Sequence, residues 1–328
     1  MNAVLVVAVK SVVIVVALLT VFAYTMLLER KILGYIQLRL GPNRTGPWGL
    51  MQPVADAVKL IFKEDIIPAD ADRPTYHLAP IISLFVALAA FAVIPVAPPI
   101  QLFGQTIEFS VINPNAGVLV LLATTSMGVY GLTLAGWGSQ SKYALLGSLR
   151  STAQMISYEL ALGMSLIGVV LMAGSLNLYE IVAAQERLWY ILLNPIGFLV
   201  FFISAVAEVN RVPFDLPEAE TELVSGYHTE YSGIRFAMFA MAEYVNMITM
   251  SSLVTLLYLG GWNGPSWLPV PGFVWFALKV ALLLFVFVWL RATLPRLRYD
   301  RLMAFGWKVL LPVAFVNLLG TALVVGLS

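Results

Sequence analysis

The chain has 328 residues, of which 60% are hydrophobic and 11% are charged, and its mean hydropathy is +0.88. Soluble domains carry about 25% charged residues, so this composition excludes an ordinary soluble protein and indicates a lipid environment. The chain lacks cysteine, which excludes iron–sulfur and zinc–thiolate ligation, disulfides and thiol nucleophiles within it, and a net charge of +1 provides no basic field for nucleic acid.

Eight apolar runs follow one another along the chain, and each approaches the length of about 20 helical residues that crosses a hydrocarbon core of about 30 Å. We therefore predict an all-α integral membrane protein with eight transmembrane helices in a single transmembrane domain, 1–328. The predicted spans lie at about 4–28, 78–96, 116–137, 153–173, 190–209, 236–259, 273–290 and 309–327.

The distribution of Lys and Arg between these runs predicts the orientation. The first, third, fifth and seventh connections hold seven, two, two and five of these residues, whereas the second, fourth and sixth hold none, one and none. Because cytoplasmic loops carry the excess of Lys and Arg, the odd connections face the cytoplasm and both termini lie on the outer, periplasmic side. Lys10 and Lys279 lie within spans near their outer ends, where snorkelling accounts for them.

The first cytoplasmic connection contains a segment with helical periodicity. Apolar residues recur at helical spacing between 48 and 62, and Gln52, Asp56, Lys59 and Lys63 lie opposite them. This pattern predicts an amphipathic interfacial helix. A helix that merely packs against the bundle is the alternative.

Four glutamates lie in or beside the predicted spans, where a charged side chain costs about 2.5–3.5 kcal/mol at the centre of the bilayer. Under the predicted orientation all four glutamates fall in the cytoplasmic half of the membrane. This agreement is informative because the position of each glutamate is counted in a different segment. A lateral file of carboxylates suits proton transfer, because desolvation and like-charge neighbours let protons reside on carboxyl groups and hop between them. The alternative is structural ion pairing with Arg30, Lys31, Arg211 or Arg235. The four residues are Glu29, Glu159, Glu208 and Glu243.

The segment 207–233 is strongly acidic, with six carboxylates and one arginine. Pro217 followed by Glu218, Glu220 and Glu222 is typical of a helix N-terminus, where the helix dipole favours anions. Tyr227, His228 and Tyr231 add groups that can hydrogen-bond a polar headgroup or a water chain.

The chain has two histidines, His77 and His228, and both lie outside the apolar runs. The paired intramembrane histidines of a haem protein are therefore missing.

At these residues the chain resembles the H-type membrane subunit of bacterial respiratory complex I, whose mitochondrial counterpart is called subunit one. The resemblance covers nearly the whole chain and rests on many motifs in the same order. In the first half of the chain they are Glu-Arg-Lys-Ile-Leu-Gly-Tyr at 29–35, Arg39 with Gly-Pro-Asn-Arg-Thr-Gly at 41–46, the predicted helical segment with its charged end at 55–65, and Ser-Lys-Tyr-Ala-Leu-Leu-Gly at 141–147. In the second half they are Ser-Tyr-Glu at 157–159, the acidic segment, Glu-Tyr at 243–244, and the arginine-rich stretch at 290–300.

The resemblance implies a subunit of a proton-translocating NADH:quinone oxidoreductase, a multisubunit enzyme in which this chain carries no redox centre, no metal and no catalytic residue of its own. It implies a quinone chamber, formed with the peripheral arm, and an acidic funnel, for which the candidates in this chain are Glu29, Arg30, Arg39, Asp56, Arg211, Asp215, Glu218, Glu220, Glu222 and Glu230. Glu159, Glu208 and Glu243 would couple the chamber to proton translocation.

The resemblance also implies the surroundings of the chain. Quinone, either ubiquinone or menaquinone, is the substrate, and NADH, FMN and iron–sulfur clusters belong to partner subunits. The partners are membrane lipid, the quinone-site and iron–sulfur subunits of the peripheral arm, and other membrane subunits, including small ones that lead to antiporter-like subunits. The expected location is the bacterial inner membrane, with the mitochondrial inner membrane as the alternative.

Three other functions are compatible with buried carboxylates in a membrane chain. The homologous membrane subunit of an energy-converting hydrogenase or related dehydrogenase shares the ion-coupling part. A stand-alone proton-coupled transporter would need a substrate cavity between repeats, and the sequence has no clear repeat. A passive membrane anchor for a peripheral enzyme would tolerate neutralisation of its glutamates.

Overall fold

The computed structural model describes residues 3–102, 105–215, 226–265, 268 and 270–327. The helices are α1 (Ala3–Ile36), α2 (Gln52–Phe62), α3 (Arg73–Phe91), α4 (Gly117–Ser126), α5 (Gly128–Gly138), α6 (Lys142–Ala173), α7 (Leu178–Ala183), α8 (Tyr190–Leu193), α9 (Pro195–Glu208), α10 (Gly233–Tyr258), α11 (Gly272–Thr293), α12 (Tyr299–Phe305) and α13 (Leu311–Leu327). Short 3₁₀ turns lie at Pro47–Gly49 and Gly226–His228, and a π-helical turn, Gly306–Leu310, joins α12 to α13.

Within the described residues, seven helical segments are long and apolar enough to cross a membrane. The helix pair α4 and α5 counts as one of them, and so does the continuous run from α12 to α13. The chain is therefore a helical membrane protein. The segments are Leu5–Ile36, Arg73–Phe91, Gly117–Gly138, Lys142–Ala173, Gly233–Tyr258, Gly272–Thr293 and Tyr299–Leu327.

Several helices extend beyond the predicted spans. The first helix ends at Ile36 instead of 28, the fourth span begins at Lys142 instead of 153, and the last begins at Tyr299 instead of 309. The apolar run marks only the part of a helix that suits lipid, whereas backbone hydrogen bonding continues through charged turns that face water or protein. At each of these three places the helix continues past the predicted span at the end that carries the charged residues.

The second span is shifted toward the N-terminus. The sequence predicted 78–96, but α3 runs from Arg73 to Phe91, with Pro74 in its first turn. Proline suits this position because its missing N–H has no helical partner there. Downstream, Pro95 and the pair at 98–99 cannot continue a helix. His77, which was placed outside the spans, therefore lies on α3, where it is exposed.

The fifth predicted span, 190–209, is interrupted. The short helix α8 ends at Leu193, and α9 begins at Pro195 with the side chain of Asn194 accepting a hydrogen bond from the Gly197 N–H at 2.9 Å. The 14 residues of α9 span about 21 Å, which is less than the hydrocarbon thickness of about 30 Å. A continuous helix over this run was a wrong prediction.

The connection after α3 contains the strands β1 (Ile100–Leu102) and β2 (Gln105–Ile107), which pair antiparallel with Ile100 opposite Ile107. The sequence predicted helices only, so this small hairpin was missed. Its three-residue strands are too short for an alternating pattern to stand out from a polar connection.

Helix α10 lies at the centre of the packing and contacts α1, α2, α3, α9 and α11. Its second half is buried throughout, from Met247 to Tyr258. Hydroxyl side chains on this helix, such as Ser251 and Ser252, donate to carbonyls one turn earlier, which satisfies them inside an apolar core. The acidic Glu243 lies in the first half of the same helix, so the core element also carries part of the site.

Candidate functional site

A buried ionic cluster joins four helices or helix ends. The Glu29 carboxylate on α1 accepts a hydrogen bond from Arg211 Nη1 at 3.1 Å and another from Arg291 Nη1 on α11. Arg211, three residues beyond the end of α9, also reaches Glu243 Oε1 on α10 through its Nε at 2.6 Å. Glu29 is 3% exposed and Arg211 is 6% exposed. Arg211 is therefore a shared cation between two carboxylates that are 214 positions apart in sequence.

The surroundings of Arg211 keep it charged. Burial lowers its pKa, but the neighbouring carboxylates of Glu243 and Glu29 outweigh burial and raise the pKa well above its ordinary value. The guanidinium carbon also lies 4.4 Å from the ring centre of Tyr244, a cation–π contact. Structural ion pairing was the alternative for Glu29 and Glu243, and both residues do form such pairs.

Glu208, at the end of α9, differs from these two. It is 7% exposed, and its Oε2 has no hydrogen-bond partner within the described part of the chain. It lines a polar cavity of about 40 Å³, which is enough for a few water molecules. The cavity also contacts Asp215, Glu243 and His228, so it brings carboxylates of α9, α10 and the acidic segment to one space.

Glu159 lies on α6. Its carboxylate accepts a hydrogen bond from the Ser126 hydroxyl at the end of α4. Its negative charge also repels that of Glu208. Glu159 and Glu208, two members of the predicted carboxylate file, are therefore neighbours in space.

The segment after α9 is held in place by a buried amide that the sequence analysis did not select. Gln154 on α6 donates to the backbone carbonyls of Ala207 and Phe214, both at 2.8 Å. It bridges the last turn of α9 and the stretch before Asp215, whose carboxylate pairs with Arg296 at 3.3 Å. Asp215 is only 4% exposed, so its position depends on these partners.

A second pair lies at the start of the amphipathic segment. Arg30 Nη1 contacts Asp56 Oδ2 on α2 at 2.7 Å, and Gln52 donates to the other Asp56 oxygen at 2.9 Å. Helix α2 is amphipathic as predicted, with exposed apolar side chains at Val54 and Ile61. Trp48, which was assigned to the same face, lies before the helix in the turn Pro47–Gly49.

Arg39 lies apart from these carboxylates. Its Nε donates to Gln37 at 2.7 Å, and it lines an open depression near Trp48. The structure therefore does not bring Arg39 to the buried cluster that contains Glu29.

Only part of the acidic segment is described. The backbone carbonyl of Glu230 accepts a hydrogen bond from the Tyr76 hydroxyl at 2.7 Å, and the rings of Tyr76 and Tyr231 are stacked at 4.2 Å. These contacts fix the end of the segment against α3. The predictions for Glu218, Glu220 and Glu222 fall outside the described residues.

The site therefore has an ionic part and a polar cavity that share Glu243. Arg291 was missed as a partner of Glu29 because 262 residues separate them, although it belongs to one of the motifs that carry the resemblance. The contact of Tyr244 with Arg211 was also missed, because Tyr244 stood out only as part of the Glu-Tyr motif at 243–244. Gln154 had no sequence signal beyond a polar residue inside an apolar run. In the described ranges, no three acidic or histidine side chains converge to hold a metal ion.

The fold and the site define a class: a helical, multi-pass membrane protein whose interior carries carboxylates from several helices around a buried arginine. Comparison with known proteins specifies the family. The family model described as NADH dehydrogenase matches residues 9–322, and the chain belongs to this family.

Bacterial relatives match over most of their own length. The chain is 56% identical over 330 residues to the NADH-quinone oxidoreductase H subunit of Deinococcus deserti, covering 98% of this chain and 83% of that protein. It is 54% identical over 303 residues to an NADH-quinone oxidoreductase H subunit of Geobacter metallireducens, covering 92% and 91%. It is 53% identical over 325 residues to an NADH-quinone oxidoreductase H subunit of Symbiobacterium thermophilum, covering 99% and 98%.

Proposed function

We propose that this chain is the membrane subunit of a proton-translocating NADH:quinone oxidoreductase that forms the quinone chamber with the peripheral arm. Family membership and the names of relatives at 53–56% identity support the enzyme complex. The observation that carries the coupling role is the set of buried carboxylates, because Glu208, Glu243 and Asp215 contact one polar cavity while Arg211 links Glu243 to Glu29.

The proposed architecture is a single transmembrane domain that crosses the membrane eight times with both termini on the outer side. The eighth crossing is the interrupted stretch α8 and α9, which supplements the seven long segments. Broken helices occur at membrane depth where protein covers their free backbone groups, and the Asn194 cap is such a cover. Helix α2 lies at the cytoplasmic interface with its exposed apolar side chains in lipid.

Within this architecture the polar residues have distinct roles. Arg30, Arg39 and Asp56 lie toward the quinone chamber, with Asp56 on the interfacial helix α2 and Arg30 paired to it. Glu218, Glu220, Glu222 and Glu230 form the acidic funnel with Asp215. When quinone is reduced, the electrostatic change at the chamber reaches Glu29 and Arg211, and protons then redistribute among Glu243, Glu208 and Glu159. Carboxylates that share a cavity can exchange protons through water because each step is short.

The cofactors and partners follow from the proposed place of the chain in the enzyme complex. The substrate is a quinone, and NADH, FMN and iron–sulfur clusters are held by other subunits. The chain contacts the quinone-site and iron–sulfur subunits of the peripheral arm on the cytoplasmic side and small membrane subunits that lead to antiporter-like subunits. The location is the bacterial inner membrane, in keeping with the bacterial relatives.

The experiment is the substitution Glu208→Gln in the assembled complex. Assembly is checked on a native gel, and NADH:quinone reductase activity and proton pumping are measured in the same membrane vesicles. Gln keeps the size of the side chain but cannot carry a proton between neighbours. We expect loss of pumping together with a large loss of quinone reduction in a complex that assembles normally.

The matched control is Glu186→Gln, because Glu186 is an exposed glutamate outside the cluster. It should leave both activities unchanged. Wild-type reduction and pumping in the Glu208→Gln complex would contradict a role of Glu208 in coupling. The same result in Glu159→Gln and Glu243→Gln would leave a docking role for the chain.

A further inference from the structure

A buried ammonium group lies at the opposite end of the bundle from the carboxylates. Lys279 on α11 is 8% exposed, so it does not snorkel to the surface as the sequence had indicated. Its Nζ donates to the carbonyls of Leu259 at 2.5 Å, Gly261 at 2.9 Å and Asn263 at 2.6 Å. The Trp189 ring covers the same nitrogen at 4.2 Å.

The three acceptors around Nζ match the charged form of Lys279. Three carbonyl oxygens each accept one hydrogen bond from Nζ, and only an ammonium has three N–H donors. The acceptors lie in the turn that follows α10, beside the negative end of the helix dipole, which attracts a cation. The Trp189 ring face adds a favourable cation–π contact.

The turn that binds Lys279 is shaped for this approach. Gly260 and Gly261 have φ angles of +70° and +53°, which favour glycine. A Cβ at Gly260 would lie 2.7 Å from the Trp189 ring, and one at Gly261 would lie 2.8 Å from Val182. The glycine pair therefore lets the backbone carbonyls and the aromatic ring converge on one nitrogen.

Capping this helix end does not itself require a charge. One turn away, the neutral amide of Gln185 donates to the Leu256 carbonyl at 2.8 Å, and its oxygen accepts from the Gly260 N–H at 3.1 Å. A buried cation is more costly than an amide because it loses much of its hydration. Unlike a neutral amide cap, the charged Lys279 also gives this end of the bundle a fixed positive potential.

Helix α11 connects the two charged regions. Its cytoplasmic end carries Arg291, which binds Glu29, and Lys279 lies 12 residues earlier, a rise of about 18 Å. The protonatable carboxylates thus have a buried positive charge on their outer side. In the proposed orientation, a positive charge that moved through the bundle from the outer side toward the carboxylates would meet this ammonium in a medium of low dielectric, where repulsion between like charges is strong.

We propose that Lys279 is a fixed internal cation that closes the outer end of the bundle to protons, so that the carboxylate file exchanges protons on its cytoplasmic and lateral sides only. This inference rests on the proposed function and orientation of the chain.

The test measures passive proton permeability in vesicles that contain the assembled complex, without NADH or added quinone. An acid pulse sets a pH difference, and a trapped dye reports its decay. Lys279→Gln keeps hydrogen-bond donors but removes the charge, and we expect decay at least fivefold faster than in wild type. Lys279→Arg keeps the charge and should decay at the wild-type rate.

Gln185→Leu is the matched control, because it disturbs the same turn without changing the charge. It should stay as tight as wild type. A tight Lys279→Gln complex, or equal leaks in Lys279→Gln and Gln185→Leu, would overturn the proposal, since the second result would trace the leak to loosened packing.

If Lys279→Gln does not assemble, Lys279→His supplies the charge test, because histidine is mostly cationic below about pH 6 and neutral at pH 8. Relative to wild type, its leak should rise between these pH values, and a constant ratio would overturn the proposal. The readout needs no turnover. A failure here is therefore distinct from a failure of the Glu208→Gln experiment.

Discussion

Replacing Arg211 with methionine is expected to destabilise the bundle strongly. Arg211 contacts Glu29 at 3.1 Å and Glu243 at 2.6 Å, and it is 6% exposed. Removing one partner of a buried ion pair costs about 3–5 kcal/mol, because an uncompensated charge stays in the interior. Here the substitution removes a cation from Glu243 and from the face of Tyr244, whereas Glu29 keeps Arg291, so we expect about 4 kcal/mol. At 1.4 kcal/mol per tenfold change, the ratio of folded to unfolded chain falls by roughly 10³.

The assay is thermal inactivation of the solubilised complex, with intact complex scored on native gels after incubation at graded temperatures. Arg211→Met should lower the temperature at which half of the complex survives. The double variant Arg211→Met with Glu243→Gln should recover part of the loss, because it removes one of the two negative charges. Arg211→Lys keeps the charge but not the fork that reaches both carboxylates, so it should be intermediate. A thermal profile of Arg211→Met that equals wild type would refute the reasoning.

Three further outcomes follow from the described contacts. Gln154→Leu deprives two buried carbonyls of their donor at about 1–3 kcal/mol each, so limited proteolysis should cut the segment after α9 faster; unchanged cleavage would argue against its bridging role. Ser126→Ala removes the donor to Glu159 and should alter the pH profile of pumping, whereas an identical profile would place Glu159 outside the coupling route. Ile61→Glu on the apolar face of α2 should raise the KM for quinone in membranes more than Lys59→Glu does, and equal KM values would argue against an interfacial α2.

Most of the helical architecture could be predicted from hydropathy, because lipid imposes a length and a composition on each crossing. The ends of the helices could not. Helix α1 continues through Glu29, Arg30 and Lys31 because these side chains have partners elsewhere in the fold, which no local pattern reveals. The break at Asn194 did have a sequence signal, because Asn194 followed by Pro195 is typical of a helix N-terminus, but the prediction followed the apolar run on both sides instead.

The residue types of the site could be predicted better than its connections. A buried carboxylate in a span is conspicuous, and Glu29, Glu208 and Glu243 do lie in or beside one cluster. Which cation serves which carboxylate depends on three-dimensional packing, so Arg211 was only one of several candidate partners. The role of Gln154 could not be predicted at all, because it depends on two backbone carbonyls that the sequence gives no reason to place near this residue.

Glu29 pairs with two cations, Arg211 and Arg291, that the ribosome adds to the chain much later than Glu29 itself. The two cations follow Glu29 by 182 and 262 residues. At about 5–20 residues per second, the ribosome delivers the second of them roughly 13–52 seconds after the glutamate. For roughly the first 9–36 seconds, until Arg211 is made, the carboxylate lacks both cations. In the proposed orientation Glu29 lies near the cytoplasmic end of α1, where it can remain in water until the later helices arrive. The insertion machinery would then receive a first helix whose carboxylate becomes fully buried only when the chain is nearly complete.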